Sequence, residues 1–494
     1  MSSSTPFALL ANGSCLALSG IPAWPGAEFV ELTGAELRRG ARLCAWFGVP
    51  EKSGTRLAAV LGFDADNTLA VGWSEPLQGR YPALTAAHTQ AHLFDREIWE
   101  QFGLIPEGHP WLKPVRAEGR GAPLMGEFFR VDGAEIHEVA VGPIHAGVIE
   151  PGHFRFQCDG EEVLHLEIAL GYQHRGIEKA LTGGPHRATT LQMETIAGDT
   201  TIGHATAHAM ALEALAGMEE APLRAQWLRA MALELERLAN HTGDLGALAG
   251  DVAFLPTAAA CGKLRGDFLN MTALLCGNRF GRGLIHAGGC ARDLERERAE
   301  KLLGNLRRAL VDVDQAAAWL WDSNSARARL ERTGEVPAEL AATLGLVGVA
   351  ARASGLVRDV RFDHPAGWHR FEQIPIAVWP GGDVFARAKV RWLEIQRSGK
   401  FLVEQLSVPP EGDLRAGAGS LAPDTLAISL VEGWRGEICH AVLTDGGGRF
   451  RRYKISDPSF HNWSGLAMAL RGQAISDFPL CNKSFNLSYC GFDL

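Results

Sequence analysis

The loop GYQHRGIEK, Gly171 to Lys179, brings His174, Arg175, Glu178 and Lys179 together just after the β-type run EVLHLEIAL. At a strand end, such charges ordinarily form a solvated loop. Enclosed, the same residues could do chemistry. A desolvated carboxylate has a raised pKa and can relay protons near neutral pH. A cation beside a reducible centre raises its potential. Upstream, VGPIHAGVIEPG carries His145 and Glu150 close together. Glu178 and Glu150 are the candidate proton carriers, with surface ion pairs as the alternative.

Further along, His204, His208 and Glu213 recur at near-helical spacing in METIAGDTTIGHATAHAMALEAL. Two histidines four apart on a helix could hold a metal. The glutamate of HExxH is missing, so a zinc site is not expected. Nine cysteines are scattered, with no CxxC pair among them. That pattern implies free, mostly buried thiols in a reducing compartment and no iron–sulfur cluster held by this chain. In RAMALELERLANHTGDLG, Glu234, Arg237 and His241 share one helix face. On residue type alone Glu234 and Arg237 read as an exposed i,i+3 pair.

These residues must be positioned by 494 residues of ordinary globular composition, 46% hydrophobic and 21% charged. The formal net charge of −9, without Lys/Arg clusters, speaks against a nucleic-acid partner. The start MSSSTPFALLANGSCLALSG has no Lys or Arg, so no secretory signal is expected. No apolar run approaches the roughly 20 residues that cross a bilayer, so membrane association would come through partners. Residues 55–61 alternate as a strand, and 223–246, 262–278, 292–321 and 383–408 carry helical spacing. The segment EICHAVLTDGGGRFRRYKI reads as a hairpin turning at Asp445 to Gly448. No Lys-Ser/Thr follows those glycines, so they are not a phosphate loop. The Gly- and charge-rich stretch RAEGRGAPLMG, Arg116 to Gly126, reads as a linker. It divides the chain into residues 1–120 and 121–494.

Several of these strings resemble one family. DREIWEQFGLIPEGHP is similar to the signature of the small peripheral-arm subunit of complex I, through Arg96, Glu97, Phe102, Gly103, Gly108, His109 and Pro110. Residues 141–181 resemble the N-terminal signature of the large subunit of energy-converting nickel–iron hydrogenases and the quinone-cavity subunit of complex I. The family's R-G-x-E falls on Arg175, Gly176 and Glu178. The resemblance implies an arginine near a terminal iron–sulfur cluster held by a small partner subunit. It also implies a glutamate at the mouth of a proton route. Family charge patterns match Arg229, Glu234, Arg237, Leu238 and His241, and again Arg352, Ser354, Gly355, Asp359 and Arg361, as inward-facing structural charges.

The nickel ligands do not carry over. Aligned on His204 and Glu213, the first cysteine pair of a hydrogenase falls on Ala197 and Thr200. Aligned on Tyr489 and Asp493, the second falls on Ser488 and Gly491, with Cys490 out of register. None of these four supplies a soft thiolate. The sequence ends at Leu494, without the cleavable tail of maturing hydrogenases. Complex I's quinone-binding turn has His145 for its first histidine, Ala146 for its proline and no second histidine; its tyrosine falls near Gly198.

The expected fold is α+β: a small N-terminal α+β domain, then a mainly helical, hydrogenase-large-subunit-like domain with small sheets. The expected role is a subunit of an NADH-quinone oxidoreductase-like or hydrogenase-like complex on the cytoplasmic face of a membrane. It would pass electrons from a partner iron–sulfur subunit to a quinone or similar carrier, coupled to proton or cation translocation. Membrane-embedded antiporter-like and anchor subunits would be further partners. Glu178, Arg175, His174 and Glu150 would be catalytic, and His145 and His204 would face a bound cofactor. No cofactor is expected on this chain itself, with quinone the possible exception. The alternative is a non-catalytic coupling subunit.

Overall fold

A computed structural model describes residues 5–116, 127–145 and 150–494. After a short strand at Ala8–Leu10, its main elements are, in chain order, strand β1 (Ser14–Ala17), helix α1 (Gly26–Arg38) and strands β2 (Arg42–Glu51), β3 (Gly54–Phe63) and β4 (Thr68–Ser74). Helix α2 (His92–Phe102) and strands β5 (Ile136–Val141), β6 (His153–Asp159) and β7 (Glu162–Ala169) follow. Then come helices α3 (Thr201–Leu215), α4 (Leu223–Asp251), α5 (Leu255–Cys276), α6 (Arg296–Asp322) and α7 (Val384–Ser407). Then follow β8 (Thr425–Glu432), β9 (Glu437–Thr444), β10 (Phe450–Ser456) and α8 (Pro458–Ala469), before the short helices Phe478–Phe485 and Tyr489–Phe492. The fold is α+β, as the spacing predicts.

The helices form for the reason read from the sequence. On α6, Leu302, Leu306, Ala309, Val313, Ala316 and Leu320 recur every three or four residues, and all are buried. Helix α4 packs against α5 and α7, and α5 against α6. The C-terminal hairpin turns at the predicted place, where the Asp445 carboxylate accepts from the backbone N–H of Gly447 and Arg449. Gly448 there has φ +73°, and a Cβ would lie 2.4 Å from the Leu421 carbonyl oxygen, so glycine is required.

The two lengths of chain interlock. Antiparallel β2, β3 and β4 make one sheet. The other large sheet runs β10–β9–β8–β1, so a strand from residues 14–17 closes the edge of a sheet built from residues 425–456. The pairing sets Thr425 opposite Ala17 and Ile428 opposite Ser14. Between the sheets one core joins Val49, Val60 and Trp73 to Ile428, Leu430 and Leu443. Helix α2, which carries the DRE element, ends on Gly103 in the left-handed region. Asp95 of that element accepts bonds from Trp46, Tyr81 and Thr85. Arg96 donates to the Lys113 and Pro114 carbonyls.

Of the linker, residues 117–126 lie outside the described residues. Its first member, Arg116, is not linker-like. Its guanidinium is buried, donating to Glu97 at 2.7 Å and to the Phe492 carbonyl at 2.7 Å. Charge and glycine content suggested a solvated start; a buried carboxylate and the C-terminal turn claim this arginine instead. A fragment of residues 1–115 lacks the partners of β1 and Glu97 that residues 116–494 supply. It is expected to melt well below the full chain in circular dichroism. Equal melting temperatures would mean that the shared sheet and core carry no stability.

Candidate functional site

Two turns that carry the four ligand-equivalent positions are cross-linked by arginines. The first, residues 195–200, precedes α3; the second, residues 488–491, holds the short helix Tyr489–Phe492. Arg175 reaches the first turn from the loop after β7. It donates to the carbonyls of Thr195 at 2.8 Å and Ile196 at 3.0 Å, and lies 3.5 Å from the Cys490 carbonyl. The loop itself is shaped by Asp493, whose carboxylate accepts from Gly171 and Gln173 N–H. His174 Nδ1 lies 3.3 Å from the Asp493 carbonyl. The second clamp is Arg435, paired with Asp199 through both guanidinium nitrogens at 2.6 and 2.8 Å, its Nε donating to Asn486 O at 2.5 Å. Trp434 Nε1 adds bonds to the Asp199 carbonyl and the Thr200 hydroxyl.

This setting does not fit a thiolate-bound nickel. Ala197 and Gly491 offer no donor. The Thr200 hydroxyl is engaged by Trp434 and Arg435. The Ser488 hydroxyl caps its own helix, accepting from Gly491 N–H at 2.9 Å. The space a side chain at 491 would need is taken, since a Cβ there would lie 2.7 Å from the Asp457 carboxyl group. Burial pushes the remaining thiol, Cys490, up to about 12, with Glu150 adding to the shift. Glu150 itself is half-buried and accepts from Tyr489 N–H at 3.3 Å.

The predicted residues therefore divide. Arg175, His174 and Glu150 gather around the 488–493 turn. His204, fully buried, reaches it through Asp457, whose Oδ2 lies 3.0 Å from His204 Nε2. His145 is exposed, its ring edge-on to Phe154 with centroids 6.1 Å apart; Ala146 lies outside the described residues. Glu178 turns the other way, into the protein. Lys454 Nζ lies 3.0 Å from its Oε1, Arg452 Nη1 2.8 Å from its Oε2, and Ile455 N–H donates to it at 3.0 Å.

The expected raised pKa of Glu178 is reversed. Burial alone would raise this carboxyl, but the Lys454 and Arg452 charges outweigh it and hold it at about 2. It is an ionised anchor rather than a proton carrier near neutral pH. Carboxyls that do titrate higher stand elsewhere. Burial raises Glu236, on α4 with its carboxyl against the N-terminus of α3, to about 8 despite bonds from Ile202 and Gly203 N–H.

The inward-facing charges are as the resemblance implies, and the exposed i,i+3 pair is not. Glu234 and Arg237 are wholly buried and 3.0 Å apart. Glu394 ties together Arg237, His241 and Arg352, and Arg361 joins Glu234 to Asp359. Sequence reasoning missed Glu394, Asp457 and Lys454. Asp457 had a readable signal as an Asp-Pro-Ser helix start, since it caps α8 through Ser459 N–H; its bond to His204 had none.

Lys454 is 1% exposed and also lies 2.6 Å from Glu97. Lys454→Met removes the shared cation from two buried carboxylates and is expected to cost about 3 kcal/mol in urea unfolding, the scale of a broken buried pair. Glu178's pKa is depressed, so its stabilisation is full above its unfolded value of 4.5 and is lost as pH falls towards about 2. Parent stability should fall across that window and the variant's less steeply. Identical pH curves would contradict the pairing.

Comparison with known proteins agrees with this scaffold. The family model for the respiratory-chain NADH dehydrogenase 49 Kd subunit matches residues 251–423 and 416–493. The chain is 30% identical to formate hydrogenlyase subunit 5 of Escherichia coli over 83% of its own length and 76% of the relative's. It is 31% identical to the carbon monoxide-induced hydrogenase of Rhodospirillum rubrum, covering 71% of this chain and 97% of that one. Identity to NADH-quinone oxidoreductase subunit 4 of Thermus thermophilus is 29%, covering 69% and 90%. The chain thus belongs to the family that unites the 49 Kd subunit of respiratory-chain NADH dehydrogenase with the corresponding hydrogenase subunits.

Proposed function

We propose that this chain is an oxidoreductase subunit of a membrane-associated complex, working without nickel. Electrons would arrive from an iron–sulfur cluster in a small partner subunit and pass to a quinone or similar carrier, coupled to proton or cation movement. The observation that carries this reading is the Arg175 clamp. The guanidinium of the exposed Arg175 holds two carbonyls of the first turn and lies 3.5 Å from the Cys490 carbonyl of the second, although all four positions aligned with nickel ligands are replaced. The scaffold of an electron-transfer site is kept while its metal donors are gone. The relatives' names, which speak of subunits and in one case of a membrane-bound hydrogenase, support a multi-subunit setting at a membrane. This chain would lie on the cytoplasmic face, with membrane-embedded antiporter-like and anchor subunits as partners. Among the described residues no helix is long and apolar enough to cross a membrane, so attachment would be through those partners. Residues 1–120 would be the part corresponding to the small peripheral-arm subunit and 121–494 the large-subunit part.

A second reading has its own support. Asp457 fills the space beside Gly491, and neither quinone-binding residue of complex I is present, which suits a coupling subunit that transmits protonic or conformational change. The test is purification of the intact complex, extraction of bound quinone and assay of NADH- or formate-driven quinone reduction. Under the first reading quinone is reduced, and Arg175→Met lowers the rate about tenfold or more, the scale of a lost preorganised charge. A complex that assembles fully but holds and reduces no quinone sinks the first reading in favour of the second.

A further inference from the structure

The hydrogen-bonded line that begins at Asp457 does not stop at His204. His204 Nδ1 lies 3.1 Å from His440 Nε2. His440 Nδ1 lies 2.9 Å from the Tyr453 hydroxyl, and His208 Nδ1 lies 2.9 Å from that same oxygen. The two helix histidines stand one turn apart on α3. His440 and Tyr453 come from the adjacent strands β9 and β10, so the line crosses from helix to sheet and back. His204, His440 and Tyr453 are completely buried, Asp457 is 1% exposed and His208 4%.

The chemistry of these groups restricts how the line is satisfied. Burial by itself would raise the Asp457 carboxyl, but the bond from His204 and the Arg435 charge hold it below the usual carboxylate value. An ionised Asp457 only accepts, so His204 donates from Nε2, and with a neutral ring its Nδ1 accepts. His440 must then donate from Nε2 and accept at Nδ1, which fixes the Tyr453 hydroxyl as donor to His440. Its oxygen accepts from His208 Nδ1–H. Every link points the same way, from His208 towards Asp457. A network that only braced the core would need no such run of groups, each able to take a proton on one atom and release another elsewhere.

We propose that His208, Tyr453, His440, His204 and Asp457 form a proton wire that ends on the carboxylate facing Gly491. A proton taken up at His208 Nε2 releases the Nδ1 proton to the Tyr453 oxygen. The hydroxyl proton passes to His440 Nδ1, the His440 Nε2 proton to His204 Nδ1, and the His204 Nε2 proton to Asp457 Oδ2. Each relay group gains the proton it gives up, so the net change is one proton moved from His208 to Asp457. No electrons move, and the passage itself moves no heavy atom. It leaves the proton on Nε2 of His208 and on Nδ1 of His440 and His204, so resetting the line requires those three rings to turn over, together with rotation of the hydroxyl and loss of the proton from Asp457. The charged groups around the Asp457 end are Arg435 and Asp199. At the centre, burial first of all, and then His204 and His208, disfavour a charged His440, so the proton moves by transfer and does not rest there.

What the wire is for rests on the electron-transfer reading above; whether it conducts does not. The test therefore uses the full chain alone, carrying ¹⁵N-labelled histidine, and follows exchange of the His204 and His440 ring N–H protons with water by NMR. Conduction predicts that both exchange at a common rate despite complete burial. Tyr453→Phe, which removes only the relaying hydroxyl, should slow both at least tenfold. His208→Gln, at the more exposed end, should do the same and decides the matter if the tyrosine variant fails to fold. Unchanged exchange in the variants, or different rates at the two rings in the parent, would overturn the proposal. An inactive complex would count against the electron-transfer reading and leave this result standing.

Discussion

One buried ammonium organises the junction of this protein. Lys454 stands between Glu97 from helix α2 and Glu178 from the R-G-x-E loop, so residues from three distant parts of the sequence share a single charge. Burying any of them unpaired is costly, and burying all three together, with Arg116 and Arg452 completing the set, is the arrangement that satisfies them. Strand β10 then does two jobs because successive side chains leave a strand on opposite faces. Arg452 and Lys454 point into this ion cluster, while Tyr453 between them points towards His208 and His440. Fixing the lysine fixes the tyrosine, and with it the path from α3 to Asp457.

On the proposed nickel-free reading, the site region is a metal pocket whose turns stay fixed although its donors are replaced. The cross-links that remain run through backbone carbonyls and through an aspartate. Arg175 grips carbonyls of the first turn and Arg435 joins Asp199 to Asn486, so the Arg175 clamp is independent of the side chains at 197, 200, 488 and 491, and the Arg435 clamp touches only the Thr200 hydroxyl among them. Asp457 occupies the volume that a larger residue at 491 would claim. A carboxylate hydrogen-bonded to a buried histidine gives that space acid–base character in place of soft-ligand character.

Much of the fold was legible from periodicity. The hairpin turns at Asp445 as predicted and the long helices overlap their predicted spans, although Leu255–Cys276 begins seven residues before the predicted 262 and Leu223–Asp251 runs five past the predicted 246. Amphipathic spacing and turn chemistry are local, and helix ends are less so. The inward charges followed from the family resemblance, not from residue type, since Glu234 and Arg237 at i,i+3 look the same on a surface as in a core. The site was read less well. Glu178 is legible as a candidate carboxylate, but its titration is not, because its partners Arg452 and Lys454 lie more than 270 residues away on β10. Arg116 looked solvated for the same reason, with its partners Glu97 and Phe492 brought in by the tertiary fold. The polar line through His440 and Tyr453 gave no signal at all, being spread over two strands and a helix.

A scaffold that keeps its clamps and loses its four thiolate positions should work without the metal those positions would serve. Elemental analysis of the intact complex, counted against this chain, decides the point. Iron is predicted from the partner subunit's clusters, with nickel far below one atom per chain. Near-equimolar nickel would contradict a nickel-free scaffold, because Ala197, Thr200, Ser488 and Gly491 could not then be the positions that decide metal binding.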